Sequence, residues 1–504
     1  MNAGPVTFGY ASTAASEGTT EAPGGTVYPS GDFNLDEFAL GKIVDDGVDG
    51  AEFHSVVDLH DLYVSFNIQQ SIHSPYLKMD VVFGESKQIF ERFGSKGLQG
   101  EEFIRIRFSA PDRAGIENIF YVTGYEPVGK DHDDLGSGIV LHAVSKEKLI
   151  NDITTVNRSV SGDFRSITEG IINDILNHPQ YRTFRAGKYG LGYPWTPSNI
   201  AWFDDPQEVQ NFIIPGYSPF GAMQMLCQRA FGGTRQGSMF MFFENNRGYN
   251  FVNVENILVK TINEDPFNPK NNPRADPSRI AGGGDWGTHG LMYDPKVSEG
   301  ARYNPGFWNS MAYLSPLSMG NTLRKIETGA FANRVRTIDH VRKRFYDTSF
   351  NMQKEFPNLQ NLGSDFNISK AFFNAFCDTE VDFAHIKDTT SQNESFEHII
   401  GKRLAFQSLL TTFGYNTVVP GNTNMNVGDC AYITEFSESG PAAGKEASMY
   451  SGYYLITELI HTVDRGKFNT TLSLAKDSLD ALHKYNKEQA AADSVAALQG
   501  GVGS

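Results

Sequence analysis

The segment from Tyr415 to Leu479 alternates apolar and polar residues between turn signals, and the chain carries this pattern twice. Val418 and Val419 end a strand at Pro420-Gly421, and Met425 to Asp429 makes a second turn through Gly428. Cys430 to Phe436 alternates like a strand, while Glu435 to Ser448 is rich in Gly, Ser, Pro and Glu and reads as a solvated loop. Tyr453 to Val463 alternates again, Arg465-Gly466 turns the chain, and Phe468 to Leu474 supplies a partner strand. Period-two alternation bounded by Gly, Pro, Asn and Asp predicts an antiparallel meander.

The earlier copy runs IFYVTGYEPV from Ile119 and, after a loop, IVLHAVSKEKL to Leu149. The later one runs YYLITELIHTV from Tyr453 and NTTLSLAKDSL to Leu479. Both carry an aromatic pair, alternating aliphatics and a threonine in the same place, Thr123 and Thr457. Both close with Lys-Glu or Lys-Asp, one residue and Leu. Upstream, Gly100-Glu101 precedes Phe103 to Phe108 as Gly428-Asp429 precedes Ala431 to Phe436. Two readings fit: unrelated meanders share such patterns, or one β domain has been duplicated. Under the second, a homotrimer would present six similar domains about one axis.

At 504 residues the chain is long enough for several domains. Residues 1–50 read as an extended arm; their first thirty are rich in Ala, Gly, Ser, Thr and Pro and would not fold alone. Residues 51–146 read as a first tube-like β domain, with strands over His60–Ile72, Tyr76–Phe83, Phe103–Phe108, Ile119–Val128 and Ile139–Val144. Residues 147–215 are helical and mixed, with Ile167, Ile171, Ile172, Ile175 and Leu176 on one helical face. Residues 216–261 read as the start of a second tube-like β domain. Ser218 to Phe231 forms a helix there, capped by Ser218 with Pro219 at its first turn, and two strands follow around Asn-Asn-Arg-Gly. Residues 262–395 are a Pro-, Asn- and Gly-rich insertion, 396–480 complete the second β domain, and 481–504 form a tail. The fold class expected is α+β, mainly β: two similar antiparallel β-barrel domains plus a helical and mixed domain.

The formal net charge of -16 argues against a protein that grips nucleic acid through its phosphates. It keeps the protein soluble and would suit a wall past which nucleic acid slides. No apolar run reaches the length of a membrane-spanning helix, and no signal peptide is recognisable. Cys227, Cys377 and Cys430 are widely spaced, which indicates reduced thiols rather than a metal cluster.

Catalytic constellations are weak. Asp131-His132-Asp133-Asp134 has acid–base and metal-ligand types, but its place in a hairpin loop suits a solvated charge run. Asp285 and His289 lie in GGGDWGTHG, where the glycines suit irregular backbone rather than a phosphate cradle. There is no GxSxG, HExxH or CxxC. The chain therefore reads as a non-enzyme with no cofactor. Trp195, Trp202, Trp286 and Trp308 sit in loop-like stretches where sugars could stack, so a glycan- or receptor-binding β protein stands as an alternative. A tail-associated cell-wall hydrolase is a weaker one.

Taken together, Ser65–Val82, Ser145–Leu149, Ile167–Leu176, Ser218–Phe231, Pro420-Gly421 with Gly428-Asp429, and Tyr453–Leu479 follow the order of a known family. Over about two-thirds of its length the chain resembles the central baseplate hub protein of contractile-tailed bacteriophages, related to the hub part of the VgrG spike protein. The resemblance implies a homotrimer in the virion tail baseplate, assembled in the host cytoplasm. Two tube-like domains per chain would form a pseudo-sixfold ring joining the sixfold tail tube to the threefold spike around an open channel. The long arm and the 262–395 insertion depart from the family's shorter members and would contact other baseplate proteins.

The turn residues Gly100, Glu101, Gly421, Gly428 and Asp429, with Thr123 and Thr457, are the motif on which this reading rests. A turn glycine at 428 is expected to need positive φ. Gly428→Val should then destabilise the second β domain by about 1–3 kcal/mol. Denaturant unfolding checks this, and wild-type stability in the variant would refute the turn assignment.

Overall fold

The computed structural model describes residues 30–45, 51–84, 98, 100, 102–111, 113–127, 138–172, 200–203, 209–230, 239–254, 257, 288–293, 308–319, 322–339, 344–355, 372–376, 402–410, 413–435, 451–464 and 466–476. The acidic loop 131–134, Glu101, Cys377, the first 29 residues and the tail lie outside them.

The architecture is mainly β, dominated by one thirteen-stranded sheet. Its first half contains β1 (Asn34–Asp45), β2 (Ala51–Asp58), β3 (Tyr63–Ser71), β4 (Lys78–Phe83), β5 (Glu102–Ser109), β6 (Ile116–Pro127) and β7 (Ile139–Ser145). These pair in the order β3-β4-β7-β6-β5-β1-β2. Each strand follows from its alternation. In β7 every second residue is buried, and in β3 Phe66, Ile68 and Gln70 point inward. The core beneath contains Phe38, Phe66, Phe83, Phe108 and Phe120, all fully buried, each contributing roughly 1.5–3 kcal/mol of burial.

A mixed region follows. Helix α1 (Lys146–Ile153) leads into β8 (Val156–Asp163), then α2 (Phe164–Ile171), β9 (Ile200–Phe203), β10 (Val209–Tyr217) and α3 (Pro219–Arg229). Asp163 caps α2 by accepting from the Ser166 amide, and Ser218 caps α3 by accepting from the Gly221 amide, with Pro219 in the first turn. The hairpin β11 (Phe240–Asn245) and β12 (Gly248–Asn253) turns on Asn246-Arg247.

The strands within 216–261, expected to begin the second tube-like β domain, do not join the large sheet. The hairpin pairs with β9 in a separate three-stranded sheet, because Phe240, Phe242, Tyr249 and Phe251 pack against Phe220, Met223 and Leu226 of α3 and Ile150 of α1. The arm expected over 1–50 is also shorter. Residues 34–45 form β1, whose Phe38 and Leu40 are wholly buried and which joins β5 to β2.

The second half of the large sheet uses β13 (Thr288–Tyr293), β14 (Ser315–Met319), β18 (Phe413–Pro420), β19 (Cys430–Glu435), β20 (Gly452–Asp464) and β21 (Lys467–Lys476). Two of these, β13 and β14, come from the segment expected to be an insertion. The rest of that segment supplies α4 (Thr322–Thr328), a sheet of β15 (Ala332–Asp339), β16 (Arg344–Asn351) and β17 (Phe372–Phe376), and α5 (Met352–Glu355). Helix α6 (Arg403–Leu410) feeds β18.

The pairing order here is β14-β18-β21-β20-β19-β13. It repeats β3-β4-β7-β6-β5-β1 strand for strand, differing in that β13 lies parallel to β19 where β1 lies antiparallel to β5. The two halves join edge to edge where β3 pairs antiparallel with β20, from Glu458↔Ser71 to Asp464↔Ser65. Phe468 ties the cores together: its ring packs 5.5 Å from Phe108 of the first half and 6.5 Å from Phe33. Among the described residues no helix is long and apolar enough to cross a membrane.

Candidate functional site

The repeat motif marks the same backbone irregularity twice. The β6–β7 ladder shifts register between Val122 and Gly124, and the β20–β21 ladder shifts between Ile456 and Glu458. The bulged residues are Thr123 and Thr457. Each hydroxyl donates at 3.0 Å to a carbonyl of the next strand, Thr123 to His142 and Thr457 to Ser473. One strand further on, His142 Nδ1 meets Asp80 at 2.7 Å, and the Ser473 hydroxyl donates to Asn416 at 2.9 Å. A bulge, its hydroxyl and the adjoining polar pair recur at equivalent positions, which generic β alternation does not require.

This register corrects the upstream match. Phe103 pairs with Tyr121 and Cys430 with Leu455, two residues before each bulge threonine. The position of Asp429 is therefore occupied in the first half by Glu102, not Glu101. Glu102 and Asp429 are both fully buried carboxylates at the start of a strand. The amide of Gly100 donates to Glu102 at 2.7 Å, and Lys42 lies 4.0 Å from it.

The turn around Asp429 is where the parts of the chain meet. Gly421 donates to the Phe468 carbonyl at 2.8 Å, and a Cβ there would fall 2.0 Å from the Phe468 ring, so no side chain fits. Gly428 has φ of +91° and donates to the Ile456 carbonyl, in keeping with the demand for glycine at that turn. Asp429 accepts both prongs of the Arg247 guanidinium, at 2.9 and 3.0 Å, with the Asn426 amide at 3.1 Å and His289 Nε2 at 3.0 Å. A fork of this kind is the strong form of carboxylate pairing. Arg247 sits at the tip of the β11–β12 hairpin. Its neighbours join the same turn: Asn245 donates to the Val427 carbonyl, and the Asn246 amide to Asn426. From the first half, Gln70 accepts from the Val427 amide and Ala114 donates to Asn424.

His289 belongs to β13, aligned with Ala431 of β19, so that part of the glycine-rich stretch is strand rather than irregular backbone. Arg247 and His289 were not legible as Asp429 partners, because each is fixed only by long-range pairing. Asp285, Trp195 and Trp286 lie outside the described residues, and Trp202 falls on β9. Trp308 packs against the core of the first half. Among the described residues no three His, Cys, Asp or Glu side chains are grouped to hold a metal ion.

A third buried carboxyl ties the mixed region to the sheet. Glu244 accepts from the Ser145 hydroxyl at 2.6 Å and the Leu77 amide at 3.2 Å. Burial, and then the nearby charge of Glu147, push it up to about 8. His461, sealed between Phe108 and Phe468 with Thr470 at 3.1 Å, is pushed down by burial to about 3.

No protein-family model matches the chain, and no curated protein matches it. Among solved structures, it is similar to a tail protein from Neisseria meningitidis, at 10% identity and a TM-score of 0.46, over 88% of this chain and 98% of that one. It is also similar to the 43 kDa tail protein of prophage MuSo2 from Shewanella oneidensis, at 9% identity and a TM-score of 0.43, over 88% of this chain and 99% of that one. A third is a chain of the Francisella PdpA-VgrG complex, at 10% identity and a TM-score of 0.40, over 88% of this chain and 58% of that one.

Arg247→Ala leaves the Asp429 carboxylate buried with half its donors gone. The Arg247 side chain is itself 37% exposed, so water replaces part of the loss. We expect a destabilisation of about 2 kcal/mol in denaturant unfolding, smaller than for a wholly buried pair.

The two shifted groups set opposite pH slopes. Glu244 keeps its proton in the folded state up to pH about 8, whereas the unfolded chain releases it near its ordinary value of about 4.3. Its stabilising contribution is complete below that value and is lost as pH rises to about 8. His461 acts the other way, because only the unfolded chain takes up a proton as pH falls below about 6.5. Between pH about 6.5 and 8 the Glu244 slope is the one exposed. The melting temperature should fall across that window in the wild type and stay flatter in Glu244→Gln. An unchanged slope in that variant would rule out a buried proton on Glu244.

Proposed function

We propose that this chain is the structural hub of a contractile phage tail baseplate, a homotrimer that adapts the sixfold tail tube to the threefold central spike around an open channel. The observation that carries this reading is the duplication. Two halves of one sheet, with the same strand order and the same bulge threonine, lie side by side in one chain, joined through β3 and β20. Three such chains set six like sheets around an axis while the rest of the chain keeps threefold symmetry. One face then meets a ring of six, and the other meets a trimer.

In this reading the tail tube ring and the spike are the axial partners. The N-terminal arm and the parts of 262–395 outside the sheet reach other baseplate proteins. The chain has no catalytic role and needs no cofactor, and the net charge of -16 gives the channel an acidic lining past which DNA slides without binding. Large, mostly apolar interfaces hold the trimer.

Native mass measurement of the purified protein, alone and with its spike, tests the proposal. A trimer in either condition is the expected result. A monomer in both would overturn it.

A further inference from the structure

The internal joint between the two halves is polar on its core side. His461 of β20 faces Thr470 of β21 across one rung. With the bulge threonines aligned, the corresponding rung of the first half pairs Pro127 with Ile139. On its other side His461 pairs with Ile68 of β3, and Gln70 follows two residues along the same buried face. The 422–429 turn lies over these side chains. Its Asn422 amide donates to the Thr470 hydroxyl at 3.2 Å, and its Val427 amide donates to Gln70 Oε1 at 3.2 Å.

Three nitrogen atoms under this turn are enclosed and have no hydrogen-bond partner among the described residues: His461 Nε2, Gln70 Nε2 and Asn422 Nδ2. Their residues are 0%, 2% and 1% exposed. The hydrogen bonds that these side chains do make fix what each nitrogen is. Gln70 Oε1 accepts from Val427, and Asn422 Oδ1 accepts from the Asn424 amide at 3.0 Å, so each remaining nitrogen is an amide donor. The Thr470 oxygen already accepts from Asn422, and its own proton finds an acceptor in His461 Nδ1, 3.1 Å away. Burial pushes the imidazole down to about 3 and keeps it neutral, so its one ring proton lies on Nε2. All three atoms are donors. A buried donor without an acceptor bears its full desolvation penalty, and native interiors rarely contain one.

We infer that ordered water is bound at this joint, accepting from His461, Gln70 and Asn422 beneath the 422–429 turn and linking the two halves of the sheet. The spacing suits it. His461 and Asn422 share the Thr470 hydroxyl, and Gln70 stands two strand residues, roughly 7 Å, from the His461 rung. One or two waters span such a gap, and buried water typically satisfies two to four polar groups of this kind. An anion would also accept from three donors. It would have to enter the turn that already holds the buried Asp429 carboxylate, against a neutral imidazole, in a chain of net charge -16. The acceptor that fits is therefore neutral.

A bromide soak of crystals of the full chain tests this without altering the protein. The expected result is solvent density within hydrogen-bond distance of His461 Nε2 and of Gln70 Nε2 or Asn422 Nδ2, with no anomalous signal at the bromine edge. An anomalous peak there would put an anion in place of water and overturn the proposal. A joint without density, in a map that shows other buried waters, would overturn it equally. Proton-detected spectra of the full chain with isotope-labelled histidine give a second readout. The His461 ring should carry its proton on Nε2 and receive magnetisation from water. A ring proton on Nδ1 would remove the donor on which the site depends and overturn the assignment.

Discussion

The buried carboxylate of Asp429 is the constraint on which the arrangement of this chain depends. An ionised carboxylate removed from water is tolerable only with its donors in place. Those donors come from three separate segments: the hairpin tip at Arg247, strand β13 at His289, and the turn itself at Asn426. The mixed region, the segment around 288 and the second meander must therefore be docked together before the turn is satisfied. Gln70 and Ala114 add the first half of the sheet to the same turn. A local turn of eight residues, Asn422 to Asp429, thus reports on the assembly of the whole chain.

Around that turn the two halves have kept their strand order and changed their attachments. Both begin a strand with a fully buried carboxylate, but Glu102 is met by Lys42 of β1 and the Gly100 amide, while Asp429 is met by Arg247 and His289. The strand next to β5 and β19 has also changed direction, β1 being antiparallel and β13 parallel. Sheet hydrogen bonding constrains the four inner strands through register, whereas side-chain partners at the margin are free to be exchanged. The shared strand order and bulge survive in both halves, while the side chains that satisfy the buried carboxylate differ.

How much of this could be read from the sequence varied with the range of the interactions that decide it. The strands β3 to β7 and β18 to β21 were legible because alternation and turn residues are local. The capped helix α3 was legible because Ser218 and Pro219 announce its start. The repeat was visible through Thr123 and Thr457, yet its upstream match slipped by one residue, from Glu102 to Glu101. Gly-acid pairs look alike in sequence, and only the ladder registers distinguish them. Strands β13 and β14 were hidden in Gly- and Pro-rich sequence. Parallel pairing with the distant strand β19 holds His289 in a strand, and Pro316 is admitted because β14 is last in the sheet among the described residues. The β11–β12 hairpin failed for a different reason: its alternation predicts a hairpin, which is correct, but says nothing about which sheet the hairpin joins. Phe242 and Tyr249, stacked at 5.5 Å beneath α3, settle that by packing.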